Sequence, residues 1–201
     1  MMRRVKDLDE VVEFVWQLSQ NKLYASYPRL NSKAEVQKEI EKAIKLENFN
    51  IIAFYNKNEL SGVCSYFWID DERYAQTTIF TIGEGYKNVV GKFVDYMSKE
   101  LPGYELFIGV PSTNKNINEY FKEKGIKCVE NSIVTKICNL RPYSNKRYKF
   151  VQEIQENNFE EYALFHDRYA VSNEMYYNSK NLYKEIGGFR IFVYKQDDEI
   201  Y

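Results

Sequence analysis

The stretch YAQTTIFTIGEGYKNVVGKFVDYMSKELPGYELFIGVPSTNKNINEYFKEKGI, residues 74–126, decides the fold of this chain. Its first nine residues, Tyr74–Ile82, alternate in polarity and predict a β-strand. The alternation divides the side chains into two sets, with Thr77, Ile79 and Thr81 on one face and Thr78, Phe80 and Ile82 on the other. The nearly continuous apolar run Tyr104–Val110 predicts a second strand, buried on both faces.

A Gly-Glu-Gly turn at residues 83–85 follows the first strand. Apolar residues then recur at helical spacing over 89–101, and Pro102-Gly103 ends that predicted helix. A second helix is predicted over 114–124, with Gly125 as its C-terminal cap. The glycine turn therefore joins a strand to a helix N-terminus, where backbone N–H groups and the helix dipole favour a phosphate.

The second helix carries the most specific motif of the stretch. Its residues follow the spacing Asn-x-x-apolar-x-x-apolar-aromatic-x-x-x-Gly, from Asn114 through Phe121 to Gly125. This spacing resembles the cofactor-binding half of the GNAT family, the acyl-CoA-dependent N-acyltransferases. Phe121 stands where many members carry the tyrosine that protonates the departing thiolate, and phenylalanine has no ionisable group. Tyr120 lies about 100° around the helix from that position, so we expect a packed aromatic there.

The glycine turn matches part of the GNAT phosphate loop, Gln/Arg-x-x-Gly-x-Gly/Ala. Gly83 and Gly85 occupy the two small positions, whereas Phe80 stands where Gln or Arg belongs. The resemblance implies acetyl-CoA as a co-substrate, with the oxyanion held by a strand N–H near Thr81 or Ile82 and two neighbouring strands parting there. The implied cofactor-binding residues are Thr81, Ile82, Gly83, Glu84, Gly85 and Asn114.

These residues also have ordinary structural interpretations. The glycine turn could be a strand-to-helix connection in which glycine supplies a positive φ. Asn114 is among the best helix N-caps, and the Glu84 carboxylate would repel phosphates. Nothing in the sequence selects a general base from Glu72, Glu105 and Glu130, so the catalytic residues stay unassigned.

The remaining sequence completes the order β-α-α-β-β-β-α-β-α-β-β over residues 1–140, which is the GNAT order. The predicted fold class is therefore α/β with a mixed sheet. Asp7 or Asp9 caps the first predicted helix, and Ser32 with Glu35 forms a capping box at the second. The apolar stripe predicted for that second helix is Val36, Ile40 and Ile44. Residues 56–59 predict a hairpin turn, and Ile126–Val129 with Ser132–Cys138 predict the final two strands.

Residues 141–146 are predicted to be a linker, and residues 147–201 to be a partial second GNAT-like repeat. The segments FNIIAFYNKNEL (49–60) and FRIFVYKQDDEI (189–200) both predict a strand followed by a polar turn. Helices are predicted from Asn158 and over 173–186. The alternative is that this region adds strands and helices to the first domain.

The composition narrows the functional class. The 28 basic and 29 acidic residues nearly cancel and are interspersed, which argues against nucleic acid as the main partner. The sequence has one histidine and three cysteines, and the cysteines lack the spacing of a zinc site and the density of a disulfide scaffold. They therefore predict no metal site and a reduced, cytoplasmic setting. The sequence contains no apolar run long enough to span a bilayer, so no membrane partner is expected.

We therefore expect an N-acetyltransferase that transfers an acyl group from acetyl-CoA to a small-molecule or peptide amine. The aromatic loop with Tyr24 and Tyr27 is a candidate wall of the acceptor pocket. A homodimer is left open. The alternatives are a non-catalytic GNAT-like binding or assembly module and an unrelated α/β binding domain.

Overall fold

The computed structural model describes residues 1–5, 8–133, 148–170 and 177–201. These residues divide into two compact units, Met1–Lys127 and Cys128–Tyr201. Several predicted features lie outside the described residues: the Asp7 cap, Cys138, the 141–146 linker and the start of the helix predicted at 173. No helix within the described ranges is both long and apolar enough to cross a membrane.

The first unit is a five-stranded sheet with a pair of helices against each face. Its strands, in sheet order, are β1 (Met2–Arg4), β2 (Phe49–Asn56), β3 (Glu59–Ile69), β4 (Tyr74–Ile82) and β5 (Glu105–Phe107). Its helices are α1 (Leu8–Ser19), α2 (Lys33–Lys45), α3 (Tyr86–Glu100) and α4 (Lys115–Glu123). Strands β1 to β4 pair antiparallel, and β5 pairs parallel to β4. The predicted mixed α/β fold class and the element order from β1 through α4 are confirmed.

Helices α1 and α2 pack on one face of this sheet, and α3 and α4 pack on the other. Val36 and Ile40 of α2 are fully buried, as predicted, but Ile44 is 52% exposed and Ala43 is buried instead. At 100° per residue, position 43 returns to the direction of Val36, whereas position 44 does not. The cap is also modified, because the Glu35 carboxylate accepts from the Asn31 N–H at 2.8 Å, one residue before Ser32.

Strand β4 contains a β-bulge that the sequence pattern does not reveal. Ser65 pairs with Ile79 and the next residue, Tyr66, pairs with Thr77, so Thr78 is the extra residue on β4. The predicted alternation is therefore wrong across the bulge: Thr77 shares a face with its partner Tyr66, and not with Ile79. The Thr78 hydroxyl donates to Ser65 Oγ at 3.1 Å, which satisfies the bulged side chain.

Strand β5 is shorter and less buried than predicted. It spans Glu105–Phe107, its first residue is exposed and the other two are half-buried. The apolar run Tyr104–Val110 was predicted to be a strand buried on both faces. Strand β5 is instead the last strand in the sheet order. Residues 126–133 form no strand, so the predicted strand Ile126–Val129 is wrong, and residues 134–138 of its partner lie outside the described ranges.

The second unit contains β6 (Val151–Ile154), α5 (Phe159–His166), α6 (Ser179–Lys184), β7 (Ile191–Gln196) and β8 (Glu199–Ile200). Its sheet has the order β6-β7-β8 with antiparallel pairing, as β1-β2-β3 has. Both hairpins turn on two residues with positive φ, Lys57-Asn58 (47° and 72°) and Asp197-Asp198 (52° and 65°). A second GNAT-like repeat stays a prediction, now with matching strand order and turn geometry in its favour.

Candidate functional site

Strands β4 and β5 pair over a short distance and then part. Their register joins Tyr74–Gln76 to Glu105–Phe107, whereas β4 continues to Ile82 with only β3 as its partner in the described chain. The edge of β4 beyond Gln76 that faces away from β3 is therefore unpaired. This parting lies next to the β4 bulge, which reorients the strand at the same point.

The unpaired edge presents particular backbone groups. The Gly83 N–H donates to the Ser61 carbonyl at 2.9 Å, which fixes residue 83 as directed toward β3. Alternate residues of an antiparallel ladder point to the same neighbour, so Thr81 also faces β3, and Ile82 and Phe80 face the gap. Of the two predicted oxyanion donors, only Ile82 thus has its N–H on the open side. The Phe80 N–H was missed, because its direction depends on the pairing of β4 with β3.

The glycine turn brings a helix N-terminus to the end of this edge. Gly85 is the N-cap of α3, with φ of 71° and no side chain capping the helix. Its carbonyl accepts from Asn88 and Val89, while the N–H groups of Gly85, Tyr86 and Lys87 have no backbone partner within the described ranges. The Gly83 N–H, by contrast, is already bonded to the Ser61 carbonyl of β3. The predicted phosphate site therefore reduces to the N–H groups at and after Gly85.

The two glycines of the turn make a matched test of this geometry. We expect Gly85→Ala to lower the free energy of unfolding by about 1–2 kcal/mol, because a β-carbon is strained at positive φ. Gly83→Ala should change it by less than about 0.5 kcal/mol, since its β-carbon would meet no atom closer than 3.6 Å. Denaturant titration of both variants measures the difference, and equal losses would contradict it.

Charges beside the turn are of both signs. Lys87 donates to both carboxylate oxygens of Glu123 on α4, each at 2.9 Å. The Glu123 carboxylate also raises the pKa of the Lys87 ammonium, which is therefore a cation at neutral pH. Glu84 is exposed within the turn itself. Lys87 was not singled out from the sequence, although its place in the first turn of the helix was a usable signal.

Asn114 is a buried cap that also anchors a loop. Its Oδ1 accepts from the Ile117 N–H at 3.4 Å, and its Nδ2 donates to the Ala25 carbonyl at 3.2 Å. Only 2% of Asn114 is exposed. Nearby, the Thr113 hydroxyl donates to the Lys22 carbonyl at 2.9 Å. These bonds favour the structural interpretation of Asn114, and its predicted contact with CoA stays a prediction.

Substitution of Asn114 separates its two bonds. We expect Asn114→Ala to lower the free energy of unfolding by about 1–3 kcal/mol, since it removes the cap and leaves the Ala25 carbonyl unpaired. Asn114→Ser keeps a cap acceptor without burying a charge and loses the donor to Ala25, so its loss should be smaller. Thermal unfolding of both variants measures this order, and a serine variant as unstable as the alanine variant would contradict it.

The loop that Asn114 anchors lies beside the gap. A β-carbon on Gly109, two residues beyond β5, would come within 2.7 Å of the Tyr27 ring, so the ring lies directly on that backbone. Tyr27 is 43% exposed. The aromatic loop predicted as an acceptor wall is thus held against the chain that follows β5.

The side chains at the two diagnostic family positions are apolar and packed. Phe80 is fully buried, and its ring centroid lies 6.5 Å from that of Phe121. Tyr120 is 8% exposed, which confirms its prediction as a packed aromatic. Burial raises the pKa of the Cys64 thiol, so this cysteine is not a nucleophile at neutral pH.

None of the candidate bases is placed at the gap by the geometry. Glu72 lies two residues before the start of β4, and Glu105 is the register partner of Tyr74, so both stand at the paired end of β4 and β5. Glu130 belongs to the second unit. A cavity of about 110 Å³ lined by Ala75, Met97 and Leu106 also lies at the paired end. It is smaller than the roughly 300 Å³ of ordinary ligand pockets, so it is not an acyl-CoA site.

Comparison with known proteins finds solved structures that are similar to this chain. No family model and no curated protein matches this chain. A tetramutant protein from Bacillus halodurans has a TM-score of 0.51 at 12% identity, over 68% of this chain and 99% of its own. A structure described as a transcriptional regulator from Bacillus halodurans C-125 has a TM-score of 0.50 at 11% identity, over 68% and 99%. A GNAT-family acetyltransferase from Streptococcus pneumoniae has a TM-score of 0.45 at 12% identity, over 62% and 82%. At these identities the two Bacillus halodurans structures show a shared fold, and the activity has to be argued from the site.

Proposed function

We propose that this protein is an acyl-CoA-dependent N-acyltransferase that transfers an acetyl group to an amine. The observation that carries the proposal is the parting of β4 from β5 after Gln76, just before the Thr78 bulge. It leaves the N–H groups of Phe80 and Ile82 facing a gap. A thioester carbonyl placed there would find a fixed donor for the charge that develops on its oxygen.

A separate feature, the N-terminus of α3, supports binding of the pyrophosphate end of the cofactor. The uncapped N-terminus of α3 lies three residues beyond Ile82 on the same chain, with Gly85 at positive φ. An acyl-CoA is long enough to place its thioester on the strand edge and its pyrophosphate on the helix terminus. Lys87 would add a cation there on release from Glu123, whereas Glu84 would oppose binding.

The reaction that fits this arrangement is direct attack of an amine on the thioester. The amine nitrogen forms a bond to the carbonyl carbon and gives up a proton to solvent or to an unassigned base, and the carbon–sulfur bond breaks. CoA leaves as a thiolate that takes up a proton. Phe121 cannot supply that proton, so solvent or another side chain must do so. The Tyr27 loop, held by Asn114, would border the acceptor side.

A second candidate function is a non-catalytic GNAT-like binding or assembly module. The buried Phe80–Phe121 contact favours it, because both diagnostic positions carry apolar side chains that are packed in the core. Such a module could still bind CoA through backbone groups. It would not release thiol from acetyl-CoA in the presence of amines.

Two measurements on the wild-type protein separate these functions. Calorimetric titration with acetyl-CoA and with CoA tests the site, and we expect binding of both. Release of free thiol from acetyl-CoA with a panel of amines tests the reaction. Binding with amine-dependent thiol release supports the transferase, binding alone supports the module, and absence of binding rejects both forms of the CoA site.

A further inference from the structure

One face of the β6-β7-β8 sheet carries no helix among the described residues of the second unit. Helices α5 and α6 pack on the opposite face, where Ile154, Phe159, Leu182 and Val193 form the core of the second unit. The other face, called here the aromatic face, carries Val151, Phe192, Tyr194 and Tyr201, and the Phe150 ring just before β6 contacts Tyr194. These five residues are between 38% and 66% exposed. The strand register also places three polar residues on this face, which are Glu153, Gln196 and Glu199.

The aromatic face is continuous. The Tyr194 ring lies 5.6 Å from that of Phe150 and 6.3 Å from that of Tyr201, centroid to centroid. At the exposures observed, its side chains present roughly 500 Å² of surface, given about 150–250 Å² for each aromatic ring. A patch of that size is as large as the largest apolar patch on a typical monomer and is often functional.

The equivalent face of the first unit is buried. There β1 and β2 pair Met2 with Phe54, as β6 and β7 pair Val151 with Tyr194. Phe54 and Ile52 are 8% and 1% exposed because they share a core with residues of α3. The aromatic face therefore has the composition of a covered sheet face but lacks the cover that its counterpart has within the described residues.

The charged groups of the aromatic face bear on whether it can contact an identical face. Arg190 and Glu153 at its edge form a bidentate pair, with nitrogen–oxygen distances of 2.7 and 3.1 Å. The Arg190 guanidinium also lies over the Phe192 ring, 5.1 Å from its centroid. These two charges neutralise each other within one copy, whereas the Glu199 carboxylate, which accepts from the Tyr201 hydroxyl at 3.3 Å, also lies on the face. Two such faces can therefore approach in an arrangement that keeps the two Glu199 carboxylates apart.

We propose that the aromatic face packs against the same face of a second copy of this chain, which forms a two-fold symmetric dimer. A two-fold contact needs a self-complementary patch, and an aromatic sheet face whose Arg190–Glu153 pair is internally neutralised can provide one. Two faces would bury roughly 1,000 Å² in total, at the lower limit for a specific interface. The dimer is therefore weak and concentration-dependent.

Sedimentation velocity of the full chain across micromolar concentrations tests this dimer. We expect the wild type to shift from monomer to dimer as concentration rises. Phe192→Glu should weaken association at least about tenfold, because it places a carboxylate at the centre of the contact. The matched control is Leu164→Glu, which adds the same charge at a 68% exposed position on α5 and should associate like the wild type.

Three results would overturn the proposal. They are a wild type that stays monomeric at every concentration, a Phe192→Glu variant that associates normally, and a Leu164→Glu variant that is equally impaired. A monomer whose aromatic face is nonetheless protected from hydroxyl-radical labelling would show that another segment or another protein covers it. If Phe192→Glu fails to fold, Tyr201→Lys provides the same test at a 66% exposed position.

Discussion

Replacement of Ile82 by proline is expected to lower the rate of amine-dependent thiol release from acetyl-CoA by about 10²–10³-fold. Proline lacks a backbone N–H, and the Ile82 N–H is one of two that face the gap between β4 and β5. Loss of a single oxyanion donor has effects of this size in acyl-transfer enzymes. The measurement is kcat with acetyl-CoA and the best acceptor found in the amine panel.

Position 82 suits this substitution because the Ile82 N–H, which proline would remove, does not bond to β3. Gly83 bonds to Ser61 and thereby places residues 81 and 83 on the β3 side, so proline at 82 leaves the β3–β4 ladder in place. Ile82→Val is the matched control, since it keeps the N–H and a similar buried side chain. Its kcat should stay within a few-fold of the wild type.

The affinity for CoA distinguishes a lost donor from a displaced strand. CoA has no thioester carbonyl, so Ile82→Pro should bind it nearly as well as the wild type does while kcat falls. A variant that loses CoA binding and kcat together would indicate a local distortion and not a missing donor. A variant that keeps full activity would remove Ile82 from the mechanism.

The sequence predicted the parts of this site that depend on local patterns. The α3 stripe, the Gly125 C-cap and the Asn114 N-cap follow from helical periodicity and capping preferences, and the cap is present at 3.4 Å from the Ile117 N–H. These features need only neighbours within a few residues. They were accordingly predicted with correct positions.

The parts that sequence reasoning missed depend on long-range pairing. Thr78 is a bulge only because Ser65 and Tyr66 lie opposite it, and no pattern within residues 74–82 encodes that register. Pairing with β3 beyond the bulge, fixed by the Gly83–Ser61 hydrogen bond, in turn decides that Phe80 and Ile82, rather than Thr81, face the gap. The apolar run after Gly103 predicts a doubly buried strand, because composition cannot tell a central strand from the last strand of a sheet.

Gly62 offers the largest expected effect on stability. A β-carbon there would lie 2.7 Å from Val89 Cγ1 and 3.0 Å from the Phe93 ring, so α3 packs directly on the β3 backbone. We expect Gly62→Ala to lower the free energy of unfolding by about 1–3 kcal/mol, and Gly62→Val to lower it further, because overpacking forces the helix outward. Gly83→Ala is the matched control in the same unit, where the nearest atom would be 3.6 Å away.

A double variant tests whether the contact with Val89 causes this loss. Val89→Ala removes the Cγ1 atom that the new methyl group would meet, at the cost of a small cavity in a position that is 2% exposed. If the steric explanation holds, Gly62→Ala/Val89→Ala should be more stable than the sum of the single losses predicts, by about 0.5 kcal/mol or more. Strict additivity in denaturant titrations would contradict it. Because α3 begins at the glycine turn, the same cycle measured as CoA affinity reports whether the packing of α3 on Gly62 also sets the geometry of the phosphate end.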